Sequence, residues 1–179
     1  MSKNELANKP GLELEYNTLR SEILKRIEFR QQFISITLTL AGIFLGIGLT
    51  NDLVVLIYPP LAMFLALGWV QNDFRVRVAA QYIRERFETP ETGLHYETYI
   101  QKEREKNKNL AEWRLLPISH SGIFLFTQFM AVGIELSKSA SFNFIPLKWA
   151  LLALDALAII IVAWSMGQTA RLSSYLPQM

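Results

Sequence analysis

Asp155 stands among Leu151, Leu152, Leu154, Leu157, Ile159, Ile160, Ile161 and Val162, the only charged residue in a long apolar run. A carboxylate in such a run costs at least a few kcal/mol in a bilayer unless it is protonated, paired or facing water. Two roles suit it. It can line a pore or carry a proton, or it can hold helices together by hydrogen bonding to Thr127 or Gln128 on a neighbouring span. A second group of residues is cationic: Arg75, Arg77, Arg84 and Arg86, followed by Lys102, Arg104, Lys106 and Lys108. Guanidinium and ammonium groups at this density suit phosphates, whether of lipid head groups or of a cytosolic nucleotide or oligonucleotide. Phe74, Tyr82, Phe87, Tyr96 and Tyr99 lie among them, where aromatic rings either stack on bases or pack a helical core. The same cations also serve membrane topology and a solvated helix surface.

Between Gln32 and Thr50, Gly42 and Gly46 have the spacing that lets another helix approach closely, with Ala41 and Gly48 beside them. Ser35, Thr37 and Thr39 give the same stretch mild polarity suited to a pore wall, although such hydroxyls also bond back to their own helix. Phe33 and Phe44 are candidate constrictions, since apolar rings close pores by dewetting. Glu135 is either a pore-mouth acid or an ordinary interfacial one. Enzyme signals are missing: His95 and His120 are far apart, there is no Cys, and no nucleophile elbow, zinc-helix, Walker or dinucleotide motif occurs. The expectation is a protein that is not an enzyme, with no metal and no cofactor.

The elements that carry these residues follow from where charge is absent. Twenty-one uncharged residues separate Arg30 from Asp52, and 20 separate Asp52 from Asp73. Both lengths suit a bilayer core, which argues against an ordinary soluble enzyme or a disordered tail. Four spans are expected: Gln32 to Thr50, Leu53 to Gln71, Ser119 to Glu135, and Leu147 to Gly167. The first is apolar all round, as a lipid-embedded helix is. Pro59 and Pro60 predict a kink in the second. The third is interrupted by Ser121, Thr127 and Gln128, and whether it fully crosses is open from sequence.

Ahead of the first span, Leu12, Tyr16, Leu19, Ile23 and Ile27 recur at helical spacing. With no breaker between Gly11 and Gly42, this amphipathic helix is expected to run into the membrane as a rod of roughly 55–60 Å. Its apolar edge needs a partner, either another helix of the same chain or neighbouring copies. A second polar-end helix is expected from about Asn72 to Glu88, a break at Thr89-Pro90-Glu91-Thr92-Gly93, and a charged helix from about Leu94 to Trp113. The organisation is thus an amphipathic helix at 1–31, a transmembrane hairpin at 32–71, a helical insertion at 72–118, a second hairpin at 119–167 and a tail at 168–179.

Orientation follows from Lys and Arg, which stay on the cytoplasmic side. Of 18 such residues, 15 lie in 1–31 and 72–118, whereas Asn51 and Asp52 carry none and the 136–146 connection has only Lys138. Both termini are therefore expected in the cytoplasm, with Trp69, Trp113, Trp149 and Tyr175 near the interfaces. The first 30 residues hold five Glu and six Lys or Arg and no early apolar core, so no secretory signal is expected.

The segment Trp69-Val70-Gln71-Asn72-Asp73-Phe74-Arg75, followed by Ala80-Gln81-Tyr82-Ile83-Arg84-Glu85 and His95-Tyr96-Glu97, resembles a pattern in small bacterial membrane proteins. With four spans and basic cytoplasmic helices, the layout is similar to that of anti-phage membrane effectors, in particular the Hailong effector family. That resemblance implies a homo-oligomeric, tetrameric ion channel of the inner membrane, held shut by a single-stranded DNA oligomer on its cytoplasmic part. The expectation is an all-α, multi-pass, ligand-gated channel whose partners are the lipid bilayer, copies of itself, ions and a nucleotide or DNA oligomer. Arg75, Arg77, Arg84, Arg86, Lys102 and Arg104 would take the ligand, and Phe33, Thr37, Phe44 and Asp155 would line or gate the pore. The rival expectations are a proton-coupled transporter using Asp155 and a non-conducting membrane scaffold.

Overall fold

The computed structural model describes residues 10–90, 92–107, 111–138 and 145–175; within these, the side chains of 10, 104–105, 111–118, 145 and 170–175 are not described. Among the described residues the fold is helical, with no strand: α1 (Pro10–Gly48), α2 (Asp52–Arg86), α3 (Tyr96–Asn107), α4 (Ala111–Ser137) and α5 (Ile145–Tyr175).

α1 begins at a proline, whose missing N–H costs nothing in a first turn, and has Glu13 near its positive end. It runs unbroken for 39 residues, the rod expected from the pattern. Asn51 starts α2: its side-chain oxygen accepts from the amides of Leu53 at 3.1 Å and Val54 at 3.4 Å. The connection is tight because Gly48 has no Cβ; one built there would lie 2.7 Å from Val55 Cβ. α2 continues through Pro59 and Pro60 to Arg86 as one helix. The segment expected as a separate helix from Asn72 is thus the end of the second span, since neither Gly nor Pro lies between Trp69 and Arg86 to stop it. The break after Phe87 is present, closed by the Thr92 amide on the Thr89 carbonyl at 3.1 Å and by Gly93 at φ 71°. The charged helix is described over Tyr96–Asn107, and residues 108–110, within the expected reach to Trp113, lie outside the described residues. From Ala111 the chain enters the helix that holds the expected third span, where Leu115 and Leu116 already match its apolar character.

α2 touches every other helix and forms the axis of the bundle. Around it lie two apolar layers. One holds Ala41, Val55, Leu56, Tyr58, Ala62 and Ala131, and the other holds Ala66, Trp69, Phe124, Val162 and Met166. Four of these eleven are alanines, which allow the close backbone approach that membrane helices use in place of a hydrophobic drive.

Large apolar side chains cover the outside of the helices, and several polar ones lie within. Ile36, Leu38, Ile43, Ile47, Ile57, Phe64, Phe126, Phe129, Leu157, Ile160 and Trp164 are exposed, whereas Thr37, Thr127, Gln128, Glu135, Asp155 and Ser165 are buried. An inside-out arrangement of this kind suits lipid rather than water. Three helical stretches, Gly11–Gly48, Asp52–Arg86 and Pro146–Thr169, are long and apolar enough to cross a membrane. These three are of the described residues, which leave out the side chains of 111–118 at the start of α4.

Candidate functional site

The amphipathic edge of α1 finds its partner within the same chain. Ile23 is buried, Tyr16 packs on Phe87 with ring centroids 5.6 Å apart, and the Tyr82 hydroxyl donates to Glu15 at 2.8 Å. Arg20 pairs with Glu97 and lies over the Tyr96 ring, 4.6 Å from its centroid. Phe33, Thr37 and Phe44 share this inward side. The Phe33 ring lies against Gly68, where a Cβ would sit 3.0 Å from it. Thr37 is fully buried and donates to the Phe33 carbonyl at 2.7 Å, and Phe44 packs on Tyr58 at 6.1 Å. Of these three residues expected on a pore wall, Phe33 and Phe44 meet α2 of their own chain and Thr37 is buried within it.

Because that side is occupied, the opposite side of α1 is left open. Gln32, Ser35, Thr39, Gly42 and Gly46 are all exposed, at spacings of three and four. A Cβ built at Gly42 or Gly46 would meet nothing within 4 Å, so neither glycine serves packing within the chain. The same alternation continues downward through Thr18, Ser21, Lys25 and Glu28, each exposed. A 3-4 alternation keeps one narrow stripe on a single side of a gently supercoiled helix. On either side of it, Ile36, Leu38, Ile43 and Ile47 are apolar and also exposed.

At the polar end of the bundle, the cationic candidates divide into tied and open ones. Arg77 pairs with Asp73, Nη2 to Oδ2 at 2.7 Å, and donates from Nη1 to the Thr169 carbonyl at 3.0 Å. Arg30 of α1 holds the other oxygen of Asp73, and Asn72 donates from Nδ2 to the Arg26 carbonyl at 2.6 Å. α1, α2 and α5 are thereby joined at one level. Arg84 donates to Gln101 and so ties α2 to α3. Arg75, Arg86 and Lys102 are exposed, and Arg104's side chain lies outside the described residues. Arg75 also borders a groove of about 430 Å³ with Arg26, Phe29, Gln71 and Asn72. α3 is held in place by Glu88, whose two oxygens accept from the amides of Glu97 and, at 2.7 Å, Thr98. Partial burial alone would raise the pKa of Glu88. Hydrogen bonds from the Thr98 side chain and from the Glu97 and Thr98 amides, with His95 nearby, outweigh it and hold the carboxyl below its ordinary value.

At the opposite end, Lys138 Nζ lies 2.6 Å from Asp52 Oδ1 and 3.7 Å from Glu135 Oε2, and also bonds the Gly48 carbonyl. Lys148 Nζ is 2.6 Å from Glu135 Oε1. Glu135 is fully buried between these two lysines. Deeper in, Gln128 donates to the Pro59 carbonyl at 3.3 Å. Asp155 is fully buried, with no hydrogen-bond partner on either oxygen, so the expected bond to Thr127 or Gln128 is not formed.

Sequence reasoning missed Asp73, Asn72 and Arg30 as a junction, although Asp73 and Arg77 are one helical turn apart in the sequence. It also missed the complete stripe on α1, whose signal was the 3-4 spacing of small and polar residues from Gln32 to Gly46. Comparison with protein-family models, curated proteins and solved structures finds no match for the chain.

Proposed function

We propose that the protein is a multi-pass channel of the bacterial inner membrane, assembled from several copies and gated by an anionic ligand at its basic cytoplasmic end. The observation that carries this reading is the open stripe Gln32, Ser35, Thr39, Gly42 and Gly46 on the 32–48 stretch of α1, whose other open residues are apolar. In lipid, a polar and small-residue stripe is the poorest surface a helix can present. Around a symmetry axis, copies of α1 would turn it toward water, with the glycines giving width and Ser35 and Thr39 giving polarity.

α4 makes a fourth span in this reading. Its polar residues Thr127, Gln128 and Glu135 are buried in the bundle, while Phe126, Phe129 and Met130 are open to lipid. Both termini then lie in the cytoplasm with the arginine-rich end of α2, as the charge distribution favours. Arg75, Arg86 and Lys102 are the exposed cations that would meet a nucleotide or single-stranded DNA oligomer, while Arg77 and Arg84 act as struts. The resemblance to anti-phage effectors supports a tetramer and a role in defence, with opening discharging the membrane potential.

The chain has no Cys, so single cysteines can be introduced without background. Each of Gln32, Ser35, Thr39, Gly42 and Gly46, and as controls Ile36, Ile43 and Ile47, is changed to Cys and tested with a charged thiol reagent during current recording. Block at the stripe positions and none at the isoleucines is the expected outcome. Block confined to the isoleucines, or no conductance with any ligand, would overturn the channel reading.

A further inference from the structure

The charges inside the bundle do not balance. Between residues 31 and 72 the sole charge is Asp52, and between 115 and 170 there are Glu135 and Asp155 against Lys138 and Lys148, with His120 the one other titratable side chain. His120 is remote from this end, stacked on Trp69 with centroids 5.4 Å apart. The two lysines answer Asp52 and Glu135 at 2.6 Å each. Asp155 is left without a counter-charge, at 0% exposure and with both oxygens unbonded. A bare carboxylate in such a place is not sustainable, since the effective penalty for an unpaired buried ion is several kcal/mol.

The helix register places a second unpaired oxygen one turn from that level. Phe124 of α4 and Val162 of α5 belong to one apolar layer, and Ile134 of α4 and Leu151 of α5 to the other, so the two helices run antiparallel. About two turns along each, near seven residues, brings Ala131 level with Asp155. Gln128 and Glu135 flank Ala131 on the same buried face of α4, one turn to each side. Gln128 Oε1 is fully buried and has no hydrogen-bond partner, because Gln128 engages α2 through its amide nitrogen. The groups facing this layer are Tyr58 and Asp52 from α2, Thr127, Gln128 and Glu135 from α4, Lys138 beyond it, and Lys148 on α5 itself; α1 contributes apolar Ala41 and Phe44.

We infer that Asp155, with the unpaired Gln128 side-chain oxygen one helical turn from its level, is a binding site for one exchangeable unit of positive charge, a proton or an alkali cation. The site lies within a single chain, so it stands whether or not copies assemble around a pore. It also makes the interior of the bundle responsive to the ion it holds: with the charge bound, α4 and α5 close over a neutral layer; without it, a carboxylate remains that only water can satisfy.

The test uses the full chain in detergent micelles and dicyclohexylcarbodiimide, which enters apolar sites and reacts with protonated carboxyls. The acid's O–H adds across one C=N bond to give an O-acylisourea, which rearranges to a stable N-acylurea with no group lost, and peptide mass mapping locates it. Melting temperature is followed in parallel with and without Na+ or K+. A proton predicts labelling at Asp155 that falls about tenfold for each pH unit above its midpoint and ignores Na+ and K+. An alkali cation predicts a melting temperature that rises with Na+ or K+ in the wild type and stays flat in Asp155→Asn, with labelling slowed by the same ion. Either result supports the site and names its occupant. Absence of labelling at Asp155 together with a melting temperature indifferent to Na+ and K+ would overturn it, as would labelling that falls equally on Asp52 and Glu135.

Discussion

Replacing Asp73 with Asn removes one charge from a junction that binds three long helices, and the loss can be worked from the structure. The Asp73 side chain is 5% exposed, and its two arginines, Arg30 and Arg77, are 27% and 24% exposed. Deleting one member of a fully buried ion pair costs about 3–5 kcal/mol. Water reaching a quarter of each guanidinium screens the charges, which lowers the expectation to about 2 kcal/mol. For a chain of this size, at roughly 2–4 °C per kcal/mol, the melting temperature should fall by about 4–8 °C. Tryptophan fluorescence during heating in detergent is a direct assay, since Trp69 lies 6.0 Å beneath the Arg30 guanidinium. Arg30→Gln and the double variant complete a cycle, in which Asp73→Asn should cost at least 0.5 kcal/mol less once Arg30 is gone, about the smallest coupling such cycles resolve. A shift under about 1 °C, well below one kcal/mol, would refute the claim that this junction holds α1 to α2. So would a cost unchanged by Arg30→Gln.

Gly48→Ala places a methyl group 2.7 Å from Val55 Cβ, backbone-anchored on both sides, and should destabilise the first hairpin by about 1–3 kcal/mol, read as a lower melting temperature. Gly42→Ala, where the space is open, should leave the melting temperature of the isolated chain unchanged. Glu88→Ala removes the acceptor for the first amides of α3 and should weaken its docking by about 1 kcal/mol, seen as faster hydrogen exchange at Glu97 and Thr98. The carboxyl of Glu88 is held below its ordinary 4.5, so its contribution is complete above that pH and is lost as the pH falls through the lower folded value. Exchange at Thr98 that rises with increasing pH only as fast as the intrinsic rate, and shows no acid-side opening, would contradict that sign.

The helices were legible in sequence because their signals are local: an uncharged run long enough for a bilayer, a 3.6-residue recurrence from Leu12 to Ile27, and a breaker cluster after Phe87. What sequence could not supply was which way each apolar helix faces. A helix such as α1, apolar all round between Gln32 and Thr50, gives periodicity no purchase, and so Phe33 and Phe44 read as a pore wall when they pack on α2. The arginines had the same ambiguity. Nothing in their spacing separates Arg77, spent on Asp73 and Thr169, from Arg75, which is open. Asp155 was legible as an oddity from its neighbours alone, but its lack of a counter-charge required knowing that Lys138 and Lys148 reach Asp52 and Glu135 instead.

Lys138 has a further consequence, for the order in which the molecule comes together. The α1–α2 hairpin emerges from the ribosome first and carries Asp52 with no cation of its own between residues 31 and 72. The Gly48 carbonyl at the end of α1 is likewise left over by the helix it terminates. Both are answered by one ammonium that belongs to the other half of the chain and follows α4. The first hairpin is therefore synthesised with a vacancy that its own sequence cannot fill. Arrival of the second half acts as a latch, marking the point at which a newborn chain becomes a finished one.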